Sequence, residues 1–391
     1  MRNTTLLIVL LVLLGGLSVG VFLLSREQTE IRATVAVAAS LGGGVEGYDR
    51  ALGPRPIVFP DDHGPHPAFK LEWWYFTGNL QAADGRPFGY QFTLFRSALS
   101  PPDPSRPARV SNWATNQLYL AHFTVTDVEG GRFQAFERYS RGAAGLAGAV
   151  ADPFRIWLED WSVEQAGAAM PAMRLRAADA DLALDLFLDT GRPIVLQGDQ
   201  GFSRKGPGEG QASYYYSMTR LDTKGTITLG AEQYPVEGLS WMDREWSTSM
   251  LGDTQLGWDW FSLQLDDGRD LMYFQLRERD PTHSPYTDGL LVAPDGTTRP
   301  LATSEVLLEV LDTWKSPVDG AVYPSKWRLR IPGEALDLTV VPYLADQELD
   351  VSVRYWEGAV RLEGTAAGRP IQGNGYVEMT GYGDNAGLPV S

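Results

Sequence analysis

LSWMDREWSTSMLGDTQLGWDWFSLQLDDGRDLMYFQLR, residues 239 to 277, is the stretch around which the rest of the chain is organised. Four of the twelve tryptophans fall in it, Trp241, Trp246, Trp258 and Trp260, interleaved with Asp243, Arg244, Glu245 and Asp259. Read as extended chain, side chains alternate between faces, so Trp241, Asp243 and Glu245 share one face and Met242, Arg244 and Trp246 the other. Carboxyl groups set beside large rings lose solvation, which raises their pKa and suits them to act as general acids. The same pattern also reads as an ion-pair network in which Arg244 pins two packed elements together. Both readings stand at this point.

Working outward, the composition favours many short strands joined by turns. The 391 residues include 12 Trp, 16 Tyr, 15 Phe, 42 Gly and 25 Pro, an aromatic and turn-rich mixture typical of all-β proteins. That length accommodates two domains with real cores. A net charge of -16 argues against nucleic acid as a partner, since phosphate binding needs clustered Lys and Arg. Zero Cys rules out disulfides, thiolate metal sites and thiol catalysis. The only histidines are His63, His66, His122 and His283, too few for a His-rich metal centre. No cofactor and no metal is expected.

Residues 6 to 24, LLIVLLVLLGGLSVGVFLL, carry no charge and are just long enough to span a bilayer as one helix. We read residues 1–24 as a signal anchor or signal peptide, with the body on the periplasmic or extracellular side. Residues 25–56 read as a small, Gly-rich linker. From Ile57 onward strand and turn signals alternate. Glu72 to Leu80, the turn AADGR and Phe88 to Phe95 read as a hairpin. In Asp181 to Asp189, Leu182, Leu184, Leu186 and Leu188 line one face and acids the other, the mark of a half-buried antiparallel strand.

A shift of 183 residues brings Leu80, Gln81, Asp84, Gly85, Arg86 and Tyr90 onto Leu263, Gln264, Asp267, Gly268, Arg269 and Tyr273. An aromatic strand, a DGR turn and an aromatic return strand thus occur twice. Two related β domains follow, residues 57–222 and 223–391. In bodies of this size, closure into barrels removes exposed edges and leaves room for one small apolar ligand.

With EWWYFTGNL (72–80), SRKG (203–206), ASYYYSMTRL (212–221), GLSWMDREWS (238–247), GWDWFSLQLDDGRDLMYFQLR (257–277) and GYVEMTGY (375–382) in view, the chain resembles the AttH/CrtC-like family. That family groups carotenoid 1,2-hydratase with AttH proteins described as secreted hydrolases. The resemblance implies two lipocalin-like barrels packed on each other and an apolar, isoprenoid- or polyketide-like ligand. It also implies one of two roles: acid-catalysed hydration or isomerisation of a double bond, or non-catalytic carriage of a lipid for an ABC-type exporter. Relatives commonly have TGHL where this chain has Asn79, and His where it has Arg244.

The candidate catalytic residues are Asp243, Glu245, Asp259 and His122. A buried core role is the commoner fate of a histidine such as His122, on the face of Leu118 and Leu120. Candidate ligand contacts are Glu72, Trp74, Tyr75, Tyr215, Trp241, Arg244, Trp246, Trp258, Trp260, Tyr273 and Arg277. Only one of Trp73 and Trp74 can face a barrel interior. Gly201 to Gly210 lacks the order of a phosphate loop and reads as an interdomain loop. Asp62 to His66 (DHGPH) reads as an entry loop, or a weak metal site. No GxSxG elbow is present, so nothing in the residues supports a hydrolase.

Overall fold

The computed structural model describes residues 44–383 apart from 104, 106–110, 169, 250, 253 and 280–285. The apolar segment 6–24 and most of the linker lie outside them. The chain is all β, in two sheets. The first contains β1 (Leu71–Ala82), β2 (Pro87–Ala98), β3 (Gln117–Asp127), β4 (Arg132–Arg141), β5 (Ala147–Val150), β6 (Arg155–Leu158), β7 (Trp161–Gln165), β8 (Met173–Asp179), β9 (Leu182–Asp189), β10 (Val195–Leu196), β11 (Phe202–Arg204), β12 (Ala212–Leu229) and β13 (Glu232–Ser247). The second contains β14 (Gln255–Leu265), β15 (Asp270–Glu278), β16 (Asp288–Val292), β17 (Thr298–Leu301), β18 (Leu307–Lys315), β19 (Val322–Ile331), β20 (Leu336–Pro342), β21 (Glu348–Leu349), β22 (Tyr355–Ala366) and β23 (Arg369–Met379).

Each sheet is built the same way. A hairpin opens a four-stranded meander, β1 to β4 or β14 to β17, and the last strand of the unit returns to pair with the first, β13 on β1 and β23 on β14. The duplicated turns match atom for atom. Arg86 N donates to Asp84 Oδ1 and Arg269 N to Asp267 Oδ1, both at 3.1 Å, and Gly85 and Gly268 take φ of +93° and +89°, a region only glycine enters freely.

The first sheet curls until β6 packs against β2, β3 and β4, giving a nearly closed barrel. The second is half a barrel rather than the closed one expected, because its path ends at β17 and β18, which do not pair. Its 125 residues from 255 to 379 supply fewer strands than the 177 from 71 to 247. The expected boundary at 222/223 falls inside β12, whose hydrogen bonding to β13 runs on across it. The chain passes from one sheet to the other between Ser247 and Gln255. The linker also ends earlier than expected: Tyr48 Oη donates to Ala98 O at 2.8 Å and Ala51 is fully buried, so residues before Ile57 already belong to the first body.

Period-two alternation sorts the side chains. Trp74, Phe76, Phe92, Trp161, Tyr216, Met242 and Trp246 fill the first barrel, with Leu182, Leu184, Leu186 and Leu188 from β9. Phe261, Leu263, Tyr273, Trp327 and Trp356 fill the half-barrel. A third cluster, Tyr75, Tyr215, Trp241, Trp260, Phe274, Leu276 and Tyr376, lies where the outward face of the first sheet meets the second. Close approach of the sheets depends on Gly89, where an added Cβ would stand 2.5 Å from Ala359 Cβ.

Candidate functional site

The cavity lies between the sheets, in neither barrel. The first sheet contributes Trp73, Tyr75, Thr93, Phe95, His122, Tyr215, Asp243 and Glu245, and the second Trp258, Trp260, Phe274, Leu276, Tyr355 and Glu378. Lys205, just after β11, closes part of its wall.

Asp243 is seated by register. Its cross-strand neighbours are Tyr75 on β1 and Ser217 on β12, and Trp241 shares its face two residues away. Trp241 Nε1 donates to Asp243 Oδ1 at 2.7 Å, Ser217 Oγ to Oδ1 at 2.5 Å and Tyr215 Oη to Oδ2 at 2.6 Å. Trp260 Nε1 donates in turn to Tyr215 Oη at 3.2 Å. All three donors are neutral and, among the described residues, no cation pairs with this carboxyl. Burial pushes the Asp243 pKa up to about 7, against the pull of the three hydrogen bonds. Glu245 differs: it accepts from Ser213 Oγ and pairs with Lys205 Nζ at 3.3 Å.

His122 reaches the cavity from β3. Its Nδ1 contacts Tyr355 Oη at 2.8 Å and its Nε2 contacts Glu137 Oε2 at 3.2 Å. Burial would raise the Glu137 pKa, but His122 and Ser352 hold it below the usual carboxylate range. Tyrosine, imidazole and carboxylate thus form a relay, Glu137 and His122 on the first sheet and Tyr355 on the second.

Several expected site residues lie elsewhere. Glu72, Arg244, Trp74 and Trp246 face the first barrel's interior. Glu72 accepts from Arg96 and Arg244, and the Arg244 guanidinium sits 4.0 Å from the Trp74 ring centroid. The Arg244 network therefore pairs with Glu72 and leaves Asp243 and Glu245 to the cavity. Tyr273 belongs to the half-barrel core. Asp259 and Arg277 pair at 3.3 Å with Tyr382 Oη donating to Asp259 at 2.8 Å, on the strand face opposite Trp258 and Trp260. Burial pushes Asp259 up to about 6, countered by Arg277. In the DHGPH loop Asp62 pairs with Arg55 and His66, and the His66 ring stacks on Trp246 at 4.0 Å. No cluster of three metal-ligating side chains occurs among the described residues.

Sequence reasoning misses Thr93, Phe95, Lys205, Phe274, Leu276, Tyr355 and Glu378 in the cavity wall, and Glu137 and Glu357 behind it. Glu357 and Glu378 do follow core residues, Trp356 and Val377, in strict alternation, which marks them as facing away from the half-barrel core. What they face is set by the docking of the two sheets.

An all-β chain of two like units, with an aromatic cavity between their outward faces and buried acids set in it, defines the class. This chain belongs to the AttH-like family, whose profile matches residues 50–382. A solved AttH structure from Nitrosomonas europaea is 36% identical, with TM-score 0.74, covering 85% of this chain and 99% of that one. Kievitone hydratase of Fusarium solani subsp. phaseoli is 23% identical over 213 residues, 53% of this chain and 59% of that protein. A crystal structure of kievitone hydratase from Nectria haematococca shares the fold at 15% identity and TM-score 0.64, covering 87% of this chain and 99% of that one.

Proposed function

We propose that the cavity between the sheets binds an apolar molecule and that Asp243 protonates a double bond in it, leading to hydration. The observation that carries this is a buried carboxyl facing an aromatic cavity, held by three neutral donors with no cation paired to it among the described residues. Protonation moves the π electrons of the alkene to a new C–H bond and leaves a carbocation. The ring faces of Trp258 and Trp260 stabilise that charge, at ~1–2 kcal/mol for each desolvated contact. Water adds its oxygen lone pair to the cation and gives up a proton to Tyr355 Oη as Tyr355 passes its own to His122 Nδ1. Glu137 steadies the resulting imidazolium. The sum is alkene plus water to alcohol, with no redox change; solvent exchange then returns the proton to Asp243. The kinship with kievitone hydratase supports a hydration in particular.

The apolar segment 6–24 would hold or export the body on the outer side of a membrane, where the ligand is drawn from lipid. In the test, residues 44–391 are incubated with lipid extract of the source cell, and bound species are identified by mass spectrometry. A retained molecule that gains the mass of one water with wild type, and is retained unchanged by Asp243→Asn, is the expected result. Retention without change by both proteins would favour a carrier serving an ABC-type exporter, and no retention would sink both readings.

A further inference from the structure

The second sheet brings a pair of carboxyls to the cavity that the hydration above does not use. Glu357 and Glu378 are direct cross-strand neighbours on β22 and β23. Glu357 is fully buried; Tyr75 Oη donates to its Oε1 at 2.7 Å and its Oε2 has no partner among the described residues. Glu378 lines the cavity, with Trp258 Nε1 donating to its Oε1 at 3.0 Å. The ionisable groups around the pair are Tyr75 from β1, Asp243 and Glu245 from β13, Tyr355 from β22 and Tyr376 from β23, all neutral or acidic. Of the basic groups lining the cavity, Lys205 is paired with Glu245, His122 with Glu137 and Arg354 with Asp319 and Asp350.

Two adjacent buried carboxyls with no counter-charge cannot both ionise. Burial and mutual repulsion raise Glu357, favouring its neutral form, and burial pushes Glu378 up to about 8, so near neutral pH Glu378 holds its proton. A neutral carboxyl in an apolar site is a hydrogen-bond donor. We propose that Glu378, backed by Glu357, donates a hydrogen bond to an oxygen of the ligand, so that the site selects apolar molecules bearing a carbonyl or like acceptor over plain hydrocarbons. This rests on the cavity being the ligand site and names the class of ligand it takes.

Two probes of one skeleton test it: trans-chalcone, which has a carbonyl, and trans-1,3-diphenylpropene, which has a methylene there. Dissociation constants come from quenching of tryptophan fluorescence across neutral to alkaline pH. In wild type the ketone should bind about tenfold tighter than the hydrocarbon below neutrality, and the preference should fade above about pH 8. Glu378→Gln, whose amide still donates and cannot ionise, should keep the preference at every pH; Glu378→Leu should lose it. Hydrocarbon binding by each variant is the control for an intact cavity. Equal affinities in wild type, or a preference in Glu378→Gln that still fades with pH, would overturn the proposal while leaving the cavity reading in place. Failure of both probes to bind would overturn both.

Discussion

Asp243 couples the chemistry of the site to the stability of the fold. Its pKa is about 7 folded against 3.8 for the free group. Below the lower value the carboxyl is protonated in both states and imposes no penalty. As pH rises between the two, the unfolded chain ionises and the folded one resists, so stability is lost and levels off above about 7. The loss is on the order of 4 kcal/mol. Urea unfolding as a function of pH should show this decline, and Asp243→Asn should make it shallower by that amount, leaving the part that Asp259, Glu357 and Glu378 contribute with the same sign. The proposed hydration uses the protonated form, so its turnover too should fall as pH rises through about 7. Glu72 has the opposite sign. Although burial alone would raise its pKa, Arg244 and Arg96 hold it far below the usual range, so its contribution is present at neutral pH and lost in acid. Arg244→Met leaves Glu72 buried with one partner fewer, and should cost about 3–5 kcal/mol by chemical denaturation. A deficit below about 1 kcal/mol would mean that Arg96 alone suffices.

At the scale of the strand, alternation carries most of what sequence reasoning can reach. It separates Trp241, Asp243 and Glu245 from Arg244 and Trp246, and the structure has them on opposite faces of β13. The same rule, applied to β14, puts Asp259 opposite Trp258 and Trp260. Grouping all three as one site overlooks it, as does grouping Tyr273 with the residues that flank its neighbour Phe274. The duplicated hairpin is equally legible, because the DGR turn imposes a local geometry independent of packing. Gly85→Ala and Gly268→Ala should therefore lower stability by similar amounts, about 1 kcal/mol each, since both strain a positive φ with no close contact for the new methyl. A much larger effect at Gly268 would point to the nearby Pro294, 3.4 Å from where that methyl would stand.

At the scale of the molecule, periodicity is silent. A strand's pattern tells which face is apolar, but both faces of β1, β13 and β14 are apolar, one turned into a barrel and the other toward the opposing sheet. This is why Glu378 and Tyr355, more than a hundred residues from Asp243 in the chain, are invisible in the sequence as its companions. It is also why the cavity between the sheets leaves no mark in any one strand's pattern. Gly89 sits on the seam. Gly89→Leu should wedge the sheets apart at Ala359 and weaken chalcone binding at least about tenfold, with far-UV circular dichroism unchanged. Binding at wild-type strength would mean that the seam yields elsewhere.

The solid interior of the first barrel has a consequence for how such a protein diversifies. Along β1, β12 and β13, residues that keep the first half folded point one way and residues that line the cavity, or back onto it, point the other. Exchanges at positions 73, 75, 215, 243 or 245 can alter the guest while 74, 76, 214, 242 and 246 go on maintaining the scaffold. Inheritance can thus revise appetite and architecture on separate schedules, and a shared outline among distant relatives is compatible with unlike diets.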